Sequence, residues 1–162
     1  MTAYGQPDLG GDRRVLREFS LPSEPGNERR VAREVEAAVE SLGLSGQRME
    51  RLKTAVAEAT MNAMEHGNGY SPEVPVVVEV LASGQDLSVR ITDRGGSPMP
   101  VPDPEVPDLS AKLEGLRTPR GWGLFLIRNM VDEMNITGDR EHHTVELIMH
   151  LEEGPKGGED AG

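Results

Sequence analysis

The sequence of 162 residues contains no cysteine. Disulfide bonds, thiolate zinc sites and cysteine nucleophiles are therefore excluded, and the composition suits a reducing cytoplasm. No apolar run approaches the roughly 20 residues that a membrane-spanning helix needs, and no signal-peptide pattern follows Met1. Aromatic residues make up only 3%, so the core has to be built from aliphatic side chains and methionine. The length suits one domain with short tails.

Basic residues are also scarce. The chain has 17 Lys and Arg against 28 Asp and Glu, a net charge of −11. Such a chain repels nucleic-acid phosphates and anionic membranes, so neither is expected as a partner. Residues 111–140 have a positive balance and are where an anion is most easily accommodated. A second basic cluster, Arg29, Arg30 and Arg33, falls on a predicted helix.

Apolar spacing and turn residues predict one folded domain over residues 14–151, between a disordered leader (1–13) and a disordered tail (152–162). The predicted elements are an edge strand (14–21), helices (28–42 and 45–66), a hairpin (74–81 and 87–92), a helix (123–134) and two strands (135–137 and 144–151). Gly43 is expected to end the first helix, Ser45 to cap the second, and the turn residues at 67–69 to stop it. Within the first strand, Val15 is expected to share a face with Phe19 and Leu21. Residues 95–120 hold six prolines and three glycines, which predicts either a functional lid or a disordered segment. Because hairpins join most strands, the fold class is α+β, a two-layer sandwich with a mixed, mostly antiparallel sheet and helices on one face.

The second predicted helix carries a polar pair on the side opposite its apolar stripe. Glu58 and Asn62 lie four residues apart and hence on one helical face. A carboxylate and an amide suit Mg²⁺, which takes one or two protein oxygens together with phosphates and waters, and a carboxylate can also accept a proton. For the pair alone, a solvated helix face is the competing interpretation.

Asp93 and Gly95 follow a β-branched strand. The carboxylate can accept a hydrogen bond from an exocyclic amine, and glycine lets the backbone approach a planar ring. A strand-ending turn is the alternative for this cluster.

Residues 120–124 (Arg-Gly-Trp-Gly-Leu) open a predicted helix. Glycines there free backbone N–H groups to face an anion, helped by the helix dipole and the charge of Arg120. Glycines that serve helix packing are the alternative for this cluster.

The three clusters, in this order and spacing, resemble the N, G1 and G2 boxes of the Bergerat-fold (GHKL) ATPases. The run Glu58-Ala-Thr-Met-Asn62-Ala-Met-Glu-His66 and the run from Gly121 to Asp132 resemble the bacterial anti-sigma-factor serine kinases of the RsbW type. The resemblance covers residues 14–151 and implies the histidine kinase-like ATPase fold, with residues 97–120 as the ATP lid.

The resemblance also implies ATP and Mg²⁺ as ligands, and it gives the matching residues their roles. Glu58 would be the general base toward a Ser or Thr hydroxyl, Asn62 would ligate Mg²⁺, and Arg33 would face a protein partner. Asp93 would bind the adenine amine, with Gly95 beside the ring and Thr144 near the base. The phosphates would meet Arg120, Gly121, Trp122, Gly123 and Leu124 at the helix start.

The implied function is that of an ATP-dependent serine/threonine-protein kinase acting as an anti-sigma factor. It would phosphorylate an anti-anti-sigma (STAS) partner and sequester a sigma factor in the cytoplasm, and members of this family often form homodimers. The alternative is a nucleotide-gated binding module without phosphotransfer. A sensor histidine kinase is disfavoured, because residues 1–46 contain no histidine.

Two positions depart from the family pattern. Ser97 stands where a glycine is frequent, and His142-His143 stand where small residues are common. The histidines are not expected to ligate one metal ion, because adjacent strand residues point to opposite faces.

Overall fold

The computed structural model describes residues 13–94 and 120–151, with the backbone alone for 120–124. Its elements in chain order are β1 (Arg14–Leu21), α1 (Asn27–Val39), α2 (Gly46–Asn62), β2 (Val76–Ala82), β3 (Asp86–Asp93), α3 (Arg120–Met130), β4 (Glu133–Gly138) and β5 (His143–His150). A 3₁₀ turn (Glu40–Leu42) follows α1, and a π-helical turn (Ala63–Gly67) follows α2. The predicted leader up to residue 12, the tail, Gly95 and the lid up to residue 119 lie outside the described residues.

The five strands form one sheet in the order β1-β2-β3-β5-β4. All four pairings are antiparallel, so the described sheet contains no parallel pair. The prediction that β1 is an edge strand is confirmed, and β3 lies at the centre. The β2–β3 hairpin is closed by Ser83, whose hydroxyl accepts bonds from the N–H groups of Gln85 (3.0 Å) and Asp86 (3.1 Å).

The core lies between the helices and one face of the sheet. The predicted stripe of α2 is buried, with Leu52, Val56 and Ala59 all at most 1% exposed. Complete burial of one such aliphatic side chain contributes about 1.5–3 kcal/mol, so the stripe holds α2 firmly on the sheet. Aliphatic residues and methionine also supply the largest fully buried side chains elsewhere, among them Met64, Leu87, Ile91, Ile127, Leu147 and Met149. No helix among the described residues is both long and apolar enough to span a bilayer.

The boundary between α1 and α2 follows local sequence signals. Gly43 has a φ of 83° and ends the 3₁₀ turn in a left-handed conformation, which glycine adopts without a Cβ penalty. Ser45 caps α2, and its hydroxyl accepts a bond from the N–H of Arg48 at 3.2 Å. Both predicted ends are confirmed.

A β-bulge interrupts the alternation along β1. The pairing register with β2 shifts between Val15 and Arg17. Val15 is 55% exposed, whereas Leu16 packs against the core. A bulge inserts one extra residue, so the residues before it turn to the other face of the sheet. The expectation that Val15 shares a face with Phe19 and Leu21 is therefore wrong.

The last helix is displaced from its predicted bounds. It begins at Arg120 and ends at Met130, and β4 already starts at Glu133, where the apolar spacing predicted helix up to residue 134. Asp132 fixes the change from α3 to β4 through two hydrogen bonds. Its N–H donates to the carbonyl of Ile148 (3.0 Å), and its carboxylate accepts from Arg48 (2.7 Å). Those partners come from α2 and β5, and a local pattern cannot show them.

The far end of β5 carries a titratable contact. Nε2 of His150 lies 2.8 Å from Oε2 of Glu133, and carboxylate oxygens of Asp132 and Asp86 lie 3.9 Å from its ring nitrogens. The bond to Glu133 raises the pKa of His150 above 6.5. Burial opposes this shift, and the charges of Asp132, Asp86 and Glu133 add to it.

We expect His150 to stabilise the fold more at low pH than at high pH. Because its folded-state pKa lies above the unfolded value of 6.5, its contribution is complete below that value and is lost as the pH rises through the folded pKa. Urea unfolding of the unmodified chain and of His150→Asn should differ more at about pH 5.5 than at about pH 9. A difference that stays constant or grows with pH would contradict this.

Candidate functional site

Glu58 and Asn62 lie one turn apart on α2, on the face away from the buried stripe. Both are half-buried rather than solvated. The side-chain nitrogen of Asn62 is buried and has no hydrogen-bond partner among the described residues. Because buried polar groups in native proteins are nearly always bonded, this amide is suited to a ligand.

The carboxyl group of Glu58 is electrostatically perturbed. Burial raises its pKa above the usual 4.5, and the nearby negative charge of Glu28 on α1 raises it further. Both effects disfavour the ionised form. A carboxyl group of this kind is a better proton acceptor than a solvated one, because its pKa lies closer to neutral pH.

The π-helical turn places the backbone of Gly67 against the end of β3. The turn is closed by the N–H of Asn68, which donates to the carbonyl of Ala63 at 2.9 Å. Such turns are rare and occur frequently at functional sites. A Cβ on Gly67 would overlap the carboxylate of Asp93. The sequence predicted only a helix stop here, so this contact was missed.

Asn68 connects three other segments of the chain through side-chain hydrogen bonds, a role that the sequence analysis did not predict. Its buried amide nitrogen donates to the hydroxyl of Ser23 (3.0 Å) and to the carbonyl of Val74 (3.2 Å). Its amide oxygen accepts from the N–H of Arg94 at 2.8 Å, directly after Asp93. The asparagine between two glycines just after a helix was the signal available, and it was interpreted as turn chemistry alone.

Asp93 is 2% exposed and faces β5. Its partner across the strands is His143, and Nδ1 of His143 lies 3.0 Å from Oδ1 of Asp93. Thr144 follows and points to the opposite face of the sheet, where its hydroxyl bonds that of Thr92 at 2.8 Å. The structure therefore does not bring Thr144 to Asp93, and His143 occupies that position instead. Adjacent residues of a strand point to opposite faces, so Thr144 and Asp93 lie on different faces of the sheet.

The start of α3 provides backbone N–H groups that have no acceptor within the helix. The helix begins at Arg120, so Gly121 and Gly123 belong to its first turn. The first N–H groups of a helix lack intrahelical acceptors, and the dipole makes this end positive. The side chains of residues 120–124, including Trp122 and Leu124, lie outside what the structure describes, as does all of Gly95.

Arg33 is exposed on α1, as are Arg29 and Arg30. The spacings of three and four residues put these arginines on one side of the helix. The structure thus gives α1 an exposed basic surface, as the sequence indicated.

The described part of the site consists of Glu58, whose pKa is raised, Asn62, whose side-chain nitrogen has no partner among the described residues, and the buried carboxylate of Asp93. They contain no group of three or more His, Asp or Glu residues able to hold a metal ion. A cation bound here would need further oxygens from a ligand such as a phosphate.

Residues 21–149 match the family described as the histidine kinase-like ATPase domain, and the chain belongs to that family. The anti-sigma F factor of Anoxybacillus flavithermus is 33% identical over 135 residues, which cover 83% of this chain and 90% of that protein. The serine-protein kinase RsbW of Listeria monocytogenes is 32% identical over 100 residues, which cover 60% of this chain and 63% of that protein.

Two solved structures share the fold. The RsbU and RsbW domains of Rv1364c from Mycobacterium tuberculosis align with a TM-score of 0.59 and 18% identity, over 83% of this chain and 32% of that longer chain. A chain of the SiaB-SiaC complex from Pseudomonas aeruginosa aligns with a TM-score of 0.59 and 16% identity, over 84% of this chain and 90% of that chain. At these identities the likeness establishes the α+β ATPase fold alone.

We expect Gly67→Ala to lower the free energy of unfolding by about 1–3 kcal/mol, because the added methyl group needs the space of the Asp93 carboxylate. The matched control is Gly46→Ala in the first turn of α2, where an added Cβ meets nothing within 4 Å. That control should be neutral or slightly stabilising. Urea unfolding measures both, and equal stabilities of the two variants would refute the close contact.

Proposed function

We propose that this chain is an ATP-dependent serine/threonine-protein kinase that acts as an anti-sigma factor. It phosphorylates an anti-anti-sigma partner of the STAS type and sequesters a sigma factor, which would place it in the cytoplasm. The observation that carries the proposal is Glu58, a half-buried acid with a raised pKa one turn from Asn62. A module that only binds nucleotide needs no base at this position.

ATP binds across the ends of β3 and α3 in this proposal. Asp93 accepts a hydrogen bond from the exocyclic amine of adenine, and Gly95 lies beside the ring. The backbone N–H groups at the start of α3 bind the phosphates, where the helix dipole favours an anion. This set comprises Arg120, Gly121, Trp122, Gly123 and Leu124. The placement of Asp93 against Gly67 supports the first part, because a buried carboxylate is a selective acceptor.

Asn62 holds Mg²⁺ through its amide oxygen, together with phosphate oxygens and waters. The donor set fits this ion, because the side chains of Asn62 and Glu58, one turn apart on α2, both carry the oxygen ligands that Mg²⁺ takes. When bound, the ion neutralises charge on the phosphates during transfer.

Glu58 acts on the acceptor protein. Its carboxylate takes the proton of a serine or threonine hydroxyl as that oxygen forms a bond to the γ-phosphorus. The bond from that phosphorus to the β–γ bridging oxygen breaks, and ADP leaves. The raised pKa of Glu58 supports this role, since a base is most effective when its pKa lies near the working pH.

We expect Glu58→Gln to lower phosphate transfer from radiolabelled ATP to the STAS partner by about 100-fold or more. The amide has the shape of the acid but cannot accept the proton, so the ATP dissociation constant should change less than about threefold. The matched control is Glu50→Gln, an exposed position at the other end of α2, which should keep full transfer.

Three outcomes of this assay separate the candidate functions. Undiminished phosphate transfer by Glu58→Gln would show that Glu58 is not the general base. An unmodified chain that binds ATP and captures its partner without any transfer would be the nucleotide-gated binding module. Failure to bind ATP would exclude both functions.

The basic surface of α1 supplies the partner contact. Arg33 lies there with Arg29 and Arg30, all exposed, in a chain whose net charge is −11. An isolated basic surface on an acidic protein steers an acidic partner to one place. The names of the relatives, an anti-sigma F factor and a serine-protein kinase, support a protein as that partner.

We expect Arg33→Glu to weaken binding of the sigma factor or the STAS partner by about tenfold, because the charge reversal repels an acidic surface. ATP affinity should stay unchanged. Arg51→Glu, an equal change of charge at an exposed position of α2, is the control. Calorimetric titration with each partner measures the effect. Equal losses of partner affinity in the two variants would show that only the net charge matters, which would contradict a docking surface on α1.

A further inference from the structure

His143 and Asp93 form a buried pair between the two central strands β3 and β5. They are directly opposite each other in the antiparallel register. His143 is 5% exposed and Asp93 is 2% exposed, and the distance from Nδ1 to Oδ1 is 3.0 Å. A hydrogen bond of this length between two buried side chains restrains both of them.

Two glycines enclose the pair from opposite sides. Gly138 of β4 is paired with His143, and a Cβ there would lie 2.9 Å from Cδ2 of the imidazole. Gly67 lies against the carboxylate of Asp93 in the same way. The ring and the carboxylate therefore fill space that any larger residue at either position would occupy. Such packing leaves each side chain little freedom to rotate.

An ionised carboxylate only accepts hydrogen bonds, so a bond to one requires Nδ1 of His143 as the donor. A carboxylate offers about four acceptor sites across its two oxygens, and the bond to the imidazole uses one of them. A histidine at this position can thus orient the acid without saturating it.

We propose that His143 is a positioning residue for base recognition, holding the Asp93 carboxylate so that it accepts the exocyclic amine of adenine. The inference rests on the proposed binding of ATP and adds the residue that makes that binding selective. A purine that carries hydrogen or a carbonyl oxygen in place of the amine cannot donate to the carboxylate of Asp93, and a site built to bond a substrate N–H rejects an analogue that lacks it strongly.

The test compares two nucleotides with two variants of the full chain. The ligands are Mg-ATP and the Mg complex of purine riboside triphosphate, which has hydrogen in place of the 6-amino group. His143→Leu should weaken ATP binding by roughly tenfold and leave binding of the analogue almost unchanged, because only the amine depends on the oriented carboxylate. His143→Asn, whose amide nitrogen can donate in place of Nδ1, should restore most of the preference for ATP.

His150→Asn at the far end of β5 is the matched control and should bind both nucleotides as the unmodified chain does. Equal losses of both nucleotides in His143→Leu would show a structural role and overturn the proposal. An unmodified chain that binds ATP and the analogue equally well would also overturn the proposed role of His143, while the proposed binding of ATP would stand. If the unmodified chain binds neither, the proposed function itself fails.

A second measurement needs no variant and is therefore independent of any loss of folding. Nitrogen-15 NMR of the imidazoles in the unmodified chain should show a proton on Nδ1 of His143. It should also show a change in that resonance on addition of Mg-ATP, with a smaller change for the analogue. A neutral ring protonated only on Nε2 would overturn the proposal.

Discussion

The close approach of the Gly67 backbone to the carboxylate of Asp93 is the constraint on which this end of the molecule depends. It joins the last turn of α2 to the end of the central strand β3, and it leaves no room for a side chain at position 67. The π-helical turn (Ala63–Gly67) allows this approach, because its wider path brings the chain to the strand. The bonds of Asn68 to Arg94 and Ser23 then hold the two elements in place.

Helix α2 serves the core and the site with opposite faces. Leu52, Val56 and Ala59 anchor it on the sheet, so the positions of Glu58 and Asn62 are set by hydrophobic packing rather than by their own contacts. This arrangement lets two polar groups remain half-buried without mutual bonds. The cost of partly burying them is small beside the burial of the stripe, which contributes several kcal/mol. Perturbed acids of this kind are typical of functional sites.

Local patterns predicted most of the fold. Periodicity gave both long helices, the hairpin and the edge position of β1, and cap residues gave the ends at Gly43 and Ser45. Glu58, Asn62 and Asp93 were singled out as site candidates, because polar residues that interrupt regular apolar elements are conspicuous in sequence. The face of the sheet on which Thr144 lies, opposite to that of Asp93, follows only from the strand register. The bulge after Val15 was likewise not visible in the sequence, and a shift of one residue exchanges the two faces.

The sequence by itself thus determined the fold class, the order of elements and the family resemblance that the ATPase match confirms. Only the tertiary structure decided which side chains meet: His143 with Asp93, Gly67 with Asp93 and Asn68 with Arg94. The reason is physical. Capping and helical periodicity act over three to four residues, whereas Asp93 and His143 are 50 residues apart and meet only through strand register. Register depends on the packing of the whole sheet, so no short segment of the sequence contains it.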